Sequence, residues 1–145
     1  MTAADALLPR PLLERATLRG NEYAWPIGAI PDVIEAAKSA NLVSIGGQLQ
    51  FRLTEGGTCE CYWVEVDTYS SVADDLTWDE RVQATAEQGL RQFVALQNRF
   101  DFEAEGRSSF AKHIEDFEAD GGNLADAMCF VWYLRTEEEA AGRGE

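Results

Sequence analysis

The sequence predicts an α+β domain in which a small antiparallel sheet packs against three helices. Three observations carry this. Residues 43–53 alternate strictly between apolar and polar side chains and lead through "TEGGT" into a second strand-like run. "TWDE" at 77–80 is a helix-opening signal followed by a long helical period. A short, aromatic-dense run near 127–135 reads as a further strand, with a buried helix as its alternative.

Taken in order, residues 1–18 carry Pro9 and Pro11 and show no sustained period, so they are expected as a loosely ordered arm or short helix laid on the domain. "RGNEYAWPIGAIP" is a turn-rich stretch leading to a helix over 31–41. There Pro31 suits the first turn, Asp32 and Glu35 favour its positive end, Val33, Ile34 and Ala37 form the inner stripe, and Asn41 ends it.

The hairpin spans 43–53 and 58–67. A two-residue loop, Glu55-Gly56 or Gly56-Gly57, would put Leu49 on one face with Tyr62, Val64 and Val66, and Cys59, Cys61, Trp63 and Glu65 on the other with Gln48, Gln50 and Arg52. A three-residue loop would reverse that assignment. Either way the second strand is apolar or semi-polar on both faces, and the sequence leaves open what its second face meets.

After a loop at 67–76, Thr77 and Glu80 form a capping box for a helix over 78–100, whose buried side reads as Val82, Ala86, Leu90, Phe93, Val94 and Leu96. A third helix, 108–119, places Phe110, Ile114 and Phe117 at helical spacing and stops at Gly121-Gly122. Residues 137–145 are expected as a loosely ordered tail. No internal linker divides the chain, so 1–145 reads as one domain.

Charge narrows the function. The chain has 26 acidic and 12 basic residues, a net charge of −14 and a pI near 4.3. Such a surface repels nucleic acid and anionic lipid and speeds encounter with basic partners. The acids cluster: seven fall between 60 and 80 with no Lys or Arg before Arg81. Three cysteines, Cys59, Cys61 and Cys129, with no signal-peptide pattern and no apolar run of spanning length, fit free thiols in a cytoplasmic compartment.

The motifs that suggest chemistry are weak. Cys59, Cys61, Cys129 and His113 would supply four zinc ligands, but without the close knuckle spacing of zinc pairs, so buried structural thiols are the expectation and no metal or cofactor is expected. His113 stands among apolar positions with no nucleophile motif, so no catalytic residue is assigned and a non-enzyme is expected. "IGGQ" lacks the rest of a P-loop or dinucleotide fingerprint; its glycines fit close packing or a strand bulge. No calcium-loop spacing occurs.

Residues 19–67, "RGNEYAWPIGAIPDVIEAAKSANLVSIGGQLQFRL" followed by "GTCECYWVEVD", resemble small acidic bacterial immunity proteins of polymorphic and contact-dependent toxin systems. The shared pattern is a Gly-Asn step, an aromatic-Ala-hydrophobic step, an amphipathic helix and a strand opening on Gly-Gly. It covers about a third of the chain.

The resemblance implies a stoichiometric binder of a cognate toxin domain, basic if the toxin is a nuclease. Its contact surface would combine acids with aromatic anchors: Trp63, Glu65, Asp67, Tyr69, Asp74 and Asp75, with Glu115, Asp116 and Glu118. Trp63 belongs either to that surface or to the core beneath a helix. Two other readings fit the same residues: a cytosolic adaptor module without a toxin partner, and a small-molecule enzyme using converging carboxylates.

Overall fold

In the computed structural model, residues 3–55 and 57–142 are described. A turn at Asp5–Leu7 and helix α1 (Arg10–Glu14) lead into strands β1 (Thr17–Arg19) and β2 (Glu22–Pro26). Helix α2 (Ile30–Ser39) precedes the long hairpin of β3 (Val43–Leu53) and β4 (Gly57–Asp67). Then come α3 (Trp78–Arg99), α4 (Phe102–Ser109), α5 (Ala111–Ala119), α6 (Leu124–Ala127), β5 (Met128–Arg135) and α7 (Glu137–Ala140). The strands form one antiparallel sheet in the order β1-β2-β5-β3-β4, with β5 in its middle and β4 at an edge.

The α+β class holds, and the sheet is larger than the hairpin and one further strand. The turn-rich stretch at 19–31 contains β2 and closes a hairpin with β1 around Gly20-Asn21. Within the run 127–135, Ala127 ends α6 and Met128–Arg135 is strand; the strand is apolar on both sides because both of its faces are covered: Phe130, Trp132 and Leu134 enter the main core, while Cys129 and Val131 join Ala24 on the other face.

Over its described part the N-terminal arm contains a short helix laid on the domain. Ala4, Leu8 and Leu12 are buried, and the Trp25 indole N–H donates to Leu12 O at 2.9 Å. Within the expected tail, Thr136 and Glu139 close a capping box on the short helix α7. Residues 143–145, like 1–2 and 56, lie outside the described residues.

The long helix starts as expected. Glu80 N–H donates to Thr77 Oγ1 at 3.2 Å and Thr77 N–H to Glu80 Oε1 at 2.9 Å. Its inward face differs from the apolar period, because Val82, Thr85, Ala86, Gly89 and Phe93 are buried whereas Leu90 and Val94 are 39% and 44% exposed. Small residues face the sheet for a reason. A Cβ on Gly89 would stand 2.9 Å from the Trp132 ring, and Thr85 Oγ1 accepts the Ser44 N–H. The helix expected over 108–119 is two helices. Phe110, at φ −128° and ψ 39°, leaves helical geometry between them, and Asp101 caps the first by accepting from Ala104 N–H.

The hairpin takes the three-residue loop, with Leu53 opposite Gly57. The two-residue registers are therefore wrong. Cys59 and Cys61 pair with Phe51 and Leu49 and enter the core beside them. The register then jumps from Leu49–Cys61 to Gln48–Glu65, so Tyr62, Trp63 and Val64 form a bulge. The bulge shifts the phase again and returns Val64 and Val66 to the side of Leu49.

On the face away from the helices, two arginines roll the sheet. Arg52 donates to Gln50 Oε1, to Thr17 O and Oγ1, and to Glu22 O. Arg19 on β1 donates to Leu53 O at 2.8 Å and to Gly57 O and Thr58 Oγ1, linking one edge of the sheet to the other. Among the described residues, no helix is long and apolar enough to cross a membrane.

Candidate partner-binding surface

The expected surface residues fall on three elements. Trp63, Glu65 and Asp67 belong to the edge strand β4, and Tyr69 lies in the turn that leaves it. Asp74 and Asp75 stand in the exposed loop before α3. Glu115, Asp116 and Glu118 are on α5.

Along β4 the bulge sets the geometry. Tyr62 is 68% exposed and Trp63 37% exposed, their rings edge-to-face at 5.4 Å. Trp63 is both anchor and surface. Its ring stacks on Phe110 at 6.4 Å, and its indole N–H donates to Glu105 Oε1 at 2.8 Å. Glu60, Glu65 and Asp67 are exposed on the same strand. Gln92 fixes the strand's end, donating to Asp67 O and accepting from Asp67 N–H. The Asp67 carboxylate accepts from Tyr69 N–H, which holds the 83% exposed Tyr69 beside it.

Tyr62, Glu60 and Glu105 complete this patch and were not among the residues singled out from sequence. The two-residue loop registers put Tyr62 inside with Leu49, and the three-residue loop turns it outward. The available signal was the failure of 59–66 to alternate cleanly, which marks a bulge.

The α5 acids are committed elsewhere. Arg107 donates to both carboxylate oxygens of Glu118, at 2.9 and 2.8 Å, and to Glu103. That hydrogen bonding holds the Glu118 carboxyl below its ordinary range. Asp116 is paired with Lys112 at 3.0 Å. Glu118 and Asp116 thus serve as ties within and between α4 and α5. Among the described residues Glu65, Asp74, Asp75 and Glu115 have no basic side chain paired with them.

The zinc constellation does not assemble. Cys59 and Cys61 point into the helix-covered core, Cys129 lies on the opposite face with its Sγ near Gln50 O, and His113 is exposed on α5. Among the described residues no group of three or more His, Cys, Asp or Glu could hold a metal ion. Burial pushes the Cys61 thiol up to about 12 and that of Cys129 to about 11, so both are neutral and poorly nucleophilic at neutral pH. "IGGQ" is close packing, as expected: a Cβ on Gly46 would sit 2.0 Å from Val66 O, and one on Gly47 1.8 Å from Val131 O.

No protein-family model matches the chain, and no curated protein or solved structure is significantly similar to it.

Proposed function

We propose that this protein is an immunity-type inhibitor that binds and neutralises a cognate bacterial toxin domain through the edge of β4. The observation that carries the reading is the bulge. It sets Tyr62 and Trp63 side by side at an edge strand, among Glu60, Glu65, Asp67 and Glu105. A basic groove shaped to hold phosphate offers Arg and Lys side chains, which stack on indole and phenol faces and pair with the flanking carboxylates. The excess of acids over the whole chain steers such a partner toward this edge. Asp74 and Asp75 extend the acidic field along the following loop.

The test is capture of the tagged protein's partner from its own host, at low and high salt, followed by co-expression with the partner's toxic domain. A basic, toxin-like partner that is neutralised one-to-one supports the reading. Tyr62→Ala should weaken that complex by about 30-fold, as expected for loss of an aromatic anchor. Asp74→Lys with Asp75→Lys should slow association while leaving the fold intact. Unchanged affinity in both variants would remove this surface from the complex, and a partner that is still toxic when bound would remove the function.

A further inference from the structure

One cavity is lined by two arginines and by no carboxylate. It lies between the start of β3, the end of β5, the turn after β4, the first turns of α3 and Ala140 at the end of α7, and it has a volume of about 360 Å³. Val43 and Ile45 form an apolar floor, Tyr69 and Trp78 supply aromatic walls, and Arg81 and Arg135 line it with positive charge. That volume is at the lower end of the roughly 300–1,000 Å³ typical of small-molecule sites.

Three other cavities are lined with carboxylates: Glu35, Glu80 and Glu87 between α2 and α3, Glu137 and Glu138 beside α7, and Glu103 and Glu118 at α4 and α5. The Val43–Arg135 cavity has none, in a chain with more than twice as many acids as bases.

Its polar groups are sorted in the same sense. The Thr68 hydroxyl donates to Ser44 O, and Thr85 Oγ1 accepts from Ser44 N–H, so both hydroxyls are engaged by the protein. Arg81 is braced by one nitrogen, Nη2, which donates to Ala73 O at 3.1 Å and Asp74 O at 2.8 Å. Its other guanidinium nitrogens, and the whole Arg135 guanidinium, have no acceptor among the described residues. Guanidinium groups match carboxylates in geometry as well as charge.

We propose that this cavity binds a small organic carboxylate with a flat apolar body: the body rests between Tyr69, Trp78 and the Val43–Ile45 floor, and the carboxylate sits on Arg81 and Arg135. The site is independent of the toxin-binding reading and would hold in an adaptor or an enzyme alike.

Phenylacetate, with uncharged phenylacetamide as its control, tests this by amide and indole NMR titration of the full chain. The Trp78 indole N–H is the reporter, since it donates to Asn41 O while Trp78 lines the cavity; the buried indoles of Trp25 and Trp132 are internal references. Phenylacetate should give saturable shifts at the Trp78 indole and the Ile45 amide, and phenylacetamide should bind at least about ten-fold more weakly. Arg135→Gln should weaken phenylacetate by about ten-fold with the rest of the spectrum unchanged. Ala140→Trp, which fills one side of the cavity, should abolish binding. Arg135 is exposed and holds no other element, so its variant remains decisive should the Ala140 variant fail to fold. Shifts that do not saturate up to the solubility of the probe, equal binding of acid and amide, or unaltered binding in Arg135→Gln would overturn the proposal.

Discussion

Gly47 packs without a side chain against the backbone of the neighbouring strand. The space that a Cβ would need is already filled by Val131 O, a backbone atom of the central strand that cannot swing aside. Gly47→Ala should therefore cost about 1–3 kcal/mol, the range of substitutions that force atoms into a packed core. Gly28→Ala is the control, because nothing lies within 4 Å of its added Cβ, and it should stay within about 0.5 kcal/mol of the parent. Urea melts of both variants check the pair, and equal stabilities would show that β3 and β5 can separate to admit a methyl group. Trp63 makes the complementary point. Its indole is stacked and hydrogen-bonded, yet over a third of it remains open to solvent. It is an anchor already locked in its rotamer, so a partner meeting it loses little side-chain entropy.

At the scale of elements, the sheet is held by different means on its two faces. The helix-covered face is dry, with Phe93 edge-to-face on Phe130 at 5.1 Å and Phe51 packed against Gly106 of α4. The opposite face is tied by Arg19 and Arg52. Burial is the main influence lowering the Arg52 pKa, and the side chain is a buried cation held by neutral acceptors across three strands. Arg52→Lys keeps the charge but loses the planar fork. It should cost about 2 kcal/mol through unmet acceptors on β1 and β2. Hydrogen exchange should show faster exchange in the β1–β2 hairpin with α3 unaffected, and uniform acceleration across the molecule would mean that Arg52 does not act on that hairpin in particular.

For the whole molecule, the net charge of −14 is the dominant long-range property. Ion pairs are few and exposed, so self-repulsion is opposed mainly by salt in the medium. Raising sodium chloride from about 0.01 to 0.3 M, which shortens the screening length several-fold, should raise the Tm by about 3 °C or more. A Tm that falls with salt would show that the attractive pairs, Arg107 with Glu103 and Glu118 foremost, outweigh the repulsion. The same screening should slow capture of a basic partner, so salt is expected to move stability and association rate in opposite directions.

Sequence by itself determined the features that depend on near neighbours. The α+β class, the Thr77–Glu80 capping box, the helix of Val33, Ile34 and Ala37, the shared inner face of Leu49, Phe51 and Leu53 and the close-packed Gly46-Gly47 were all legible, because a cap, a helical stripe and a strand period are set by residues a few positions apart; the alternation of β3 fails toward its start, where the register shifts between Ser44 and Gly46. Tertiary structure decided the rest. Whether Cys59 and Cys61 or Tyr62 faced inward turned on one residue of loop length and then on a bulge, and a single-residue change in register exchanges the two faces of a strand. The inward face of α3 was chosen by the Trp132 ring and the Ser44 N–H, which favour Gly89 and Thr85 over the larger Leu90 and Val94. Of the acids, the sequence located the cluster but not which members were free. Arg107 takes up Glu118 across the break at Phe110, and loop length and bulge together turn Tyr62 and Trp63 out to the edge. Local periodicity carries no information about partners that distant strands and helices supply, and the candidate surface is made by those partners.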